Sequence, residues 1–142
     1  MRTLFTGGTI VGPEGTQQAD LLVDGERIAA IGREVPHSDA RVIDAAGFYL
    51  LPGGIDVHTH LDMPLDDIRS SDDFHTGHVA AACGGTTSHI DFVIQSKGGS
   101  LRQALDAWHE RAEGKACIDY GFHMTIADPR PEVLDEIGRL PE

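Results

Sequence analysis

The sequence predicts an α/β protein in which a small all-β segment precedes three βα units. Three observations carry this. Residues 1–51 alternate short β-branched runs with turn chemistry, the pattern after Pro52 changes to strand, loop and helix three times over, and the first strand after that change carries His58 and His60 two residues apart. The expected boundaries are therefore 1–51 for the β segment and 52–142 for the βα segment. A chain of 142 residues is long enough to bury a core.

In the first segment, residues 9–11 lead into Gly12-Pro13-Glu14-Gly15, a turn cluster. Residues 20–23 and 27–31 flank Asp24-Gly25-Glu26, which reads as a three-residue hairpin connection with a glycine free to take positive φ. Residues 41–44 and 48–51 complete what reads as a small antiparallel unit. His37, between Pro36 and Ser38, reads as a solvated loop residue.

In the second segment, the strand with His58 and His60 is followed by a loop over 61–71 and a helix over 72–83. Ser70 and Asp73 have the spacing of a capping box, and Gly84-Gly85 supplies the stop. The second strand covers 86–93, and Ser100 opens the second helix, in which Leu101, Leu105, Trp108 and Ala112 recur at helical spacing as a buried stripe. Gly114 ends it. A third strand is expected over 116–126 and a third helix over 131–140, with Pro131 in its first turn.

The chemistry sits on Gly53-Gly54-Ile55-Asp56-Val57-His58-Thr59-His60. Side chains alternate along a strand, so Asp56, His58 and His60 are expected on one face and Ile55, Val57 and Thr59 on the other. Two residues advance the strand by about 6.6 Å, so two imidazoles on one face can lean onto one ion at roughly 2.0–2.1 Å per Zn–N bond. The apolar run entered through Leu51-Pro52-Gly53-Gly54 raises this above a chance pair of histidines. The other candidates read as structural. His75 and His78 are expected on the solvated face of the first helix. His89, Asp91 and His123 are expected to project into the interior of a barrel, either as hydrogen-bonded filler or as part of a site, with filler the favoured reading. Asp66-Asp67 and Asp72-Asp73 are expected to diverge or to cap a helix, Lys97 and Lys115 to be solvated, and Cys83 and Cys117 to be buried reduced thiols.

Composition excludes several classes. A net charge of −12 with scattered Lys and Arg leaves no basic footprint, so nucleic acid and anionic membrane are not expected partners. No apolar run approaches the roughly 20 residues of a membrane span, and the first residues do not make a signal peptide, so a cytoplasmic protein is expected.

Pro52-Gly53-Gly54-Ile55-Asp56-Val57-His58-Thr59-His60-Leu61-Asp62-Met63-Pro64 resembles the first metal motif of the cyclic amidohydrolases, in the D-hydantoinase/dihydropyrimidinase branch. The resemblance continues through Asp72-Asp73-Phe74, residues 80–87, Ile90-Asp91-Phe92 and residues 118–123. Dihydroorotase-like sequences fit less well, since they place an Arg soon after the histidine pair, where this chain has Leu61-Asp62. The resemblance implies a (β/α)8 barrel beside a β-sandwich, of which this chain holds the N-terminal sandwich strands and the first three βα units. It also implies two divalent ions, zinc, bridged by a carboxylated lysine, with His58 and His60 among the metal ligands. The reaction implied is opening of the cyclic amide of a hydantoin or dihydropyrimidine to an N-carbamoyl amino acid, in a homotetramer. The bridging lysine, two further histidines and the proton-transferring Asp have no match in these 142 residues, so no catalytic residue is assigned in this chain and it is expected to be inactive alone. Leu65, in the loop over 61–71, is expected to pack against the exocyclic group of the substrate. That loop also departs from the family, with Leu65-Asp66-Asp67-Ile68 where an aromatic and glycines are common. Two other readings compete: a non-enzymatic assembly or regulatory protein on the same scaffold, which retention of both histidines disfavours, and an inactive truncation product.

Overall fold

The computed structural model describes residues 1–65 and 67–140. The chain divides into two compact units, Met1–Pro52 and Gly53–Glu142.

The first unit is one five-stranded sheet. Strands β1 (Arg2–Gly12) and β2 (Gly15–Asp24) form a long hairpin with Gly12 opposite Gly15. β3 (Arg27–Gly32) pairs antiparallel with β2, and β4 (Arg41–Asp44) and β5 (Tyr49–Leu50) both pair with β1. Leu4, Leu22 and Val35 form its core. Two expectations need correction. The sheet is mixed, because β4 and β5 run parallel to β1. The β2–β3 connection has two residues, since Asp24 pairs with Arg27 and Gly25 takes φ 59°. β1 is also longer than its β-branched run: Gly7, at φ 67°, lets a bulge form between Phe5 and Gly8, so the strand continues through a Gly-Gly pair that reads as a break.

The second unit is a three-stranded parallel sheet in the order β10-β9-β6, with β6 Gly54–Thr59, β9 Thr86–Ile94 and β10 Asp119–Thr125. Between β6 and β9 lies a two-stranded hairpin, β7 (Pro64–Leu65) and β8 (Ile68–Arg69), which sequence reading takes for plain loop. Asp66 lies outside the described residues. Helix α1 (Phe74–Cys83) follows, α2 (Leu101–Ala112) connects β9 to β10, and α3 (Pro131–Ile137) closes the unit.

Helix ends follow capping chemistry. Asp73 caps α1, accepting from the His75 and Thr76 backbone, while Thr76 Oγ1 accepts from Asp73 N–H. The Thr76 backbone donor and the neighbouring Lys115 ammonium hold the Asp73 carboxyl at about 2. Ser70 is not the cap, because its hydroxyl accepts from Met63 N–H within the preceding loop. Ser100 caps α2, and the buried residues of that helix are Leu101, Leu105, Trp108 and Ala112, as their spacing predicts. The core joins Trp108, Leu105 and Ala112 to Phe74 and Val93, with Tyr120, Phe122 and Met124 of β10 packed against it. Helices therefore cover one face of the sheet. Cys83 and Cys117 are free but exposed rather than buried, because Cys83 ends α1 and Cys117 lies in the connection between α2 and β10, both outside the core stripe. Lys115 is half-buried and paired with Asp73 at 3.2 Å.

Candidate metal-binding face and the buried network behind it

On the face of the sheet away from the helices, His58 and His60 lie side by side with ring centroids 5.0 Å apart at an interplanar angle of 83°. Phe92 of β9 supports both, at 4.3 Å from His58 and 5.4 Å from His60, and its other side meets His123 of β10 at 5.0 Å. The row His58/His60, Phe92, His123 crosses all three strands, consistent with the pairing of Phe92 with His123. The three histidines are exposed. Among the described residues no side-chain hydrogen bond engages either ring of the His58/His60 pair, so their nitrogen lone pairs are free to bind. Two neutral imidazoles suit a divalent ion such as zinc. Among the described residues no group of three metal-ligating side chains occurs, and this face presents the His58/His60 pair of imidazoles.

The alternation that puts Asp56 beside these histidines is interrupted. Asp56 pairs with His89 and Thr59 with Asp91, so three steps on β6 match two on β9, the mark of a bulge. The Asp56 carboxylate turns onto the His58 backbone N–H at 3.1 Å.

Behind the strand, facing the helices, lies a polar chain that the sequence reading resolved only in part. His78 is fully buried, not solvated, because it stands four residues after Phe74 on the inward face of α1. His89 and Asp91 are buried too, but they face α1 and α2 rather than the opposite face with His58 and His60, sharing their side of β9 with Val93. The chain has a single consistent set of protons. Backbone N–H groups of Cys117 and Ile118 point at His78 Nδ1, 3.0 and 3.4 Å away, so that atom accepts. His78 then carries its proton on Nε2 and donates to His89 Nε2 at 2.7 Å. His89 in turn carries its proton on Nδ1 and donates to Thr59 Oγ1 at 2.7 Å. The Thr59 hydroxyl, with one lone pair filled, donates to Asp91 Oδ2 at 2.9 Å. Asp91 Oδ2 also accepts from Leu61 N–H at 2.7 Å, and Oδ1 accepts from Phe92 N–H at 2.9 Å and Trp108 Nε1–H at 3.2 Å.

Both buried imidazoles are neutral in this arrangement. A second proton on His78 would face the Cys117 and Ile118 donors, and one on His89 would face His78 Nε2–H. Burial accordingly pushes both rings below the usual 6.5, outweighing the upward pull of Asp91 on each and of Asp56 on His89. A second feature, an open groove lined by Pro64, Gln95, Ser96, Gly99, Trp108 and Arg111, contains none of the histidines.

This neutrality has a measurable sign. The native rings bind protons less readily than the unfolded chain, so their contribution to stability is complete above about pH 6.5 and falls as pH drops below it. In denaturant melts of the metal-free protein between about pH 7.5 and about pH 5.5, wild type should lose stability on acidification. His78→Gln, which can still accept from Cys117 N–H and donate to His89, should show a shallower acid limb. Equal slopes, or stabilisation by acid, would contradict the assignment.

No protein-family model matches the chain. Sequence relatives do. The chain is 49% identical over 142 residues to a D-hydantoinase of Geobacillus stearothermophilus, covering all of this chain and 30% of that protein. It is 42% identical over 144 residues to the dihydropyrimidinase of Rattus norvegicus, covering 98% of this chain and 28% of that one. Among solved structures, the crystal structure of dihydropyrimidinase from Brevibacillus agri superposes with a TM-score of 0.94 at 55% identity, over 96% of this chain and 30% of that one. The chain thus spans about 30% of the length of the curated relatives it matches, and over that span it is a homologue of the D-hydantoinases and dihydropyrimidinases.

Proposed function

We propose that the full-length protein carrying this chain is a metal-dependent cyclic amidohydrolase that opens hydantoins or dihydropyrimidines to N-carbamoyl amino acids, and that this chain supplies its first metal-binding motif. The observation that carries the reading is the His58/His60 pair: two adjacent exposed imidazoles without competing side-chain hydrogen bonds, in a chain 49% identical to a D-hydantoinase. We take the units Met1–Pro52 and Gly53–Glu142 as the N-terminal parts of a β-sandwich and of a (β/α)8 barrel. The exposure of Ile55 and Val57 on β6 and the free edges of β6 and β10 suit strands of a larger parallel sheet. The net charge of −12 supports a small-molecule substrate over nucleic acid or an anionic membrane. Among the described residues no helix is long and apolar enough to cross a membrane. A cytoplasmic homotetramer completes the proposal.

Two divalent ions, zinc in this reading, would supply Lewis acidity to the ring carbonyl and an activated water. His58 and His60 would hold one of them. Phe92 packs against both rings and limits their rotation. The proton-transferring Asp that the resemblance implies has no match in these 142 residues, so the chain by itself is expected to be inactive.

If His58 and His60 are ligands, the full-length His58→Ala, His60→Ala double variant should lose bound metal and ring-opening activity together, while His75→Ala should change neither. Metal content equal to wild type in the double variant would refute the ligand assignment. Leu65 is 47% exposed in β7 and is the apolar side chain we place against the exocyclic substituent of the substrate. An apolar pocket discriminates by about 1–3 kcal/mol per methylene, so Leu65→Ala should change the kcat/KM ratio between bulky and small 5-substituted hydantoins by roughly tenfold. An equal loss on both would show that the loop supports the fold without selecting substrate.

A further inference from the structure

We propose that Asp91 is a positioning residue for the metal-ligating strand: its carboxylate brackets His60, taking the Thr59 hydroxyl from one neighbour and the Leu61 N–H from the other, and so fixes the direction in which His60 presents its ring. The proposal rests on the reading that His58 and His60 ligate metal.

The geometry supports this in three steps. First, Asp91 Oδ2 holds the residues on both sides of His60, at 2.9 Å through Thr59 Oγ1 and at 2.7 Å through Leu61 N–H. Two anchors either side of one residue restrain rotation of its peptide planes, which sets where its Cβ points. Second, Asp91 cannot follow the strand. Its other oxygen is held by Phe92 N–H and by Trp108 Nε1–H, and Trp108 is set in the helix core with Arg111 stacked on its ring at 4.2 Å. Third, the chain leaving His60 is clamped in continuation. Asp62, at φ 48°, donates from N–H to Asp72 O, accepts from Arg111 Nη1 at its carbonyl and from Arg69 Nη1 at its carboxylate. Leu61 is packed so closely on α1 that a Cβ at Gly77 would meet Leu61 Cδ2 at 2.5 Å.

The neutral histidines complete the device. Because His89 Nδ1–H fills a lone pair of Thr59 Oγ1, the hydroxyl proton is directed to Asp91, and His78 fixes the His89 tautomer. A carboxylate oxygen that accepts from both flanks of a ligand is a stronger constraint than buried filler needs. It acts through backbone rather than through the ring, so its effect belongs in metal affinity rather than in the chemical step.

The test uses the full-length protein loaded with zinc, in Thr59→Val, Thr59→Ser, Asp91→Asn and His58→Ala forms. Readouts are zinc retention against a competing chelator, the visible spectrum after replacement by cobalt, and the melting midpoint of the metal-free protein. Removing an outer-shell partner typically lowers metal affinity by about 10–100-fold. Thr59→Val and Asp91→Asn should therefore release zinc at roughly tenfold lower chelator with an altered cobalt spectrum, and Thr59→Ser should behave as wild type. If Asp91→Asn does not fold, the Thr59 pair decides. Wild-type zinc retention and cobalt spectrum in Thr59→Val, with a lowered melt alone, would overturn the positioning role. So would equal losses in Thr59→Ser and Thr59→Val. If His58→Ala itself keeps full metal, the ligand reading fails, and that result is separable from the other two.

Discussion

The second unit depends on one buried carboxylate. Asp91 has no exposed surface, and it is satisfied by four hydrogen-bond donors: a hydroxyl, an indole N–H and two backbone N–H groups. Hydrogen bonds to a charged group contribute about 1.5–3 kcal/mol each, and a buried charge left short of donors costs the desolvation that those bonds offset. The donors come from β6, the turn after it, β9 and α2. Any shift of the first strand against the second, or of the helix against either, breaks at least one of them. Register, already set by the apolar face that the sheet buries against the helices, is thereby pinned further where the two exposed histidines leave the sheet.

The sheet thus has two faces with opposite chemistry. Toward the helices, His78, His89, Thr59 and Asp91 form one line in which each donor has an acceptor. On the other face, His58, His60 and His123 surround Phe92 and remain exposed. The difference is what makes His58 and His60 candidates for metal and the first set a scaffold. An imidazole already committed at both nitrogens, as His78 and His89 are, cannot become a ligand without leaving its partners unsatisfied.

Much of this was legible in the sequence, and what was not has specific causes. The His58/His60 strand, the buried stripe of α2 and its Ser100 cap follow from spacing and capping rules. Sequence patterns put His78 on the solvated face because its helix is short and rich in small residues, so no broad apolar stripe marks the buried face. The signal available was its four-residue spacing from Phe74. The orientation of His89 and Asp91 could have been read from parity with Val93, a core residue, set against Phe92, which sides with the histidines. The bulge between Asp56 and Thr59 has no marker in residue type, and it is what removes Asp56 from the row of histidines. The mixed pairing of β4 and β5 with β1 depends on the path of the chain between them, which local patterns do not encode.

In the proposed reading, one face of this sheet holds a metal through His58 and His60 while the other holds that strand in place through Asp91. Anomalous diffraction at the zinc edge from crystals of the full-length, zinc-loaded protein tests it most directly. The expected result is a peak about 2.0–2.1 Å from a ring nitrogen of each histidine, with Asp91 still accepting from Thr59 and Leu61. A zinc peak elsewhere, with His58 and His60 unliganded, would contradict it.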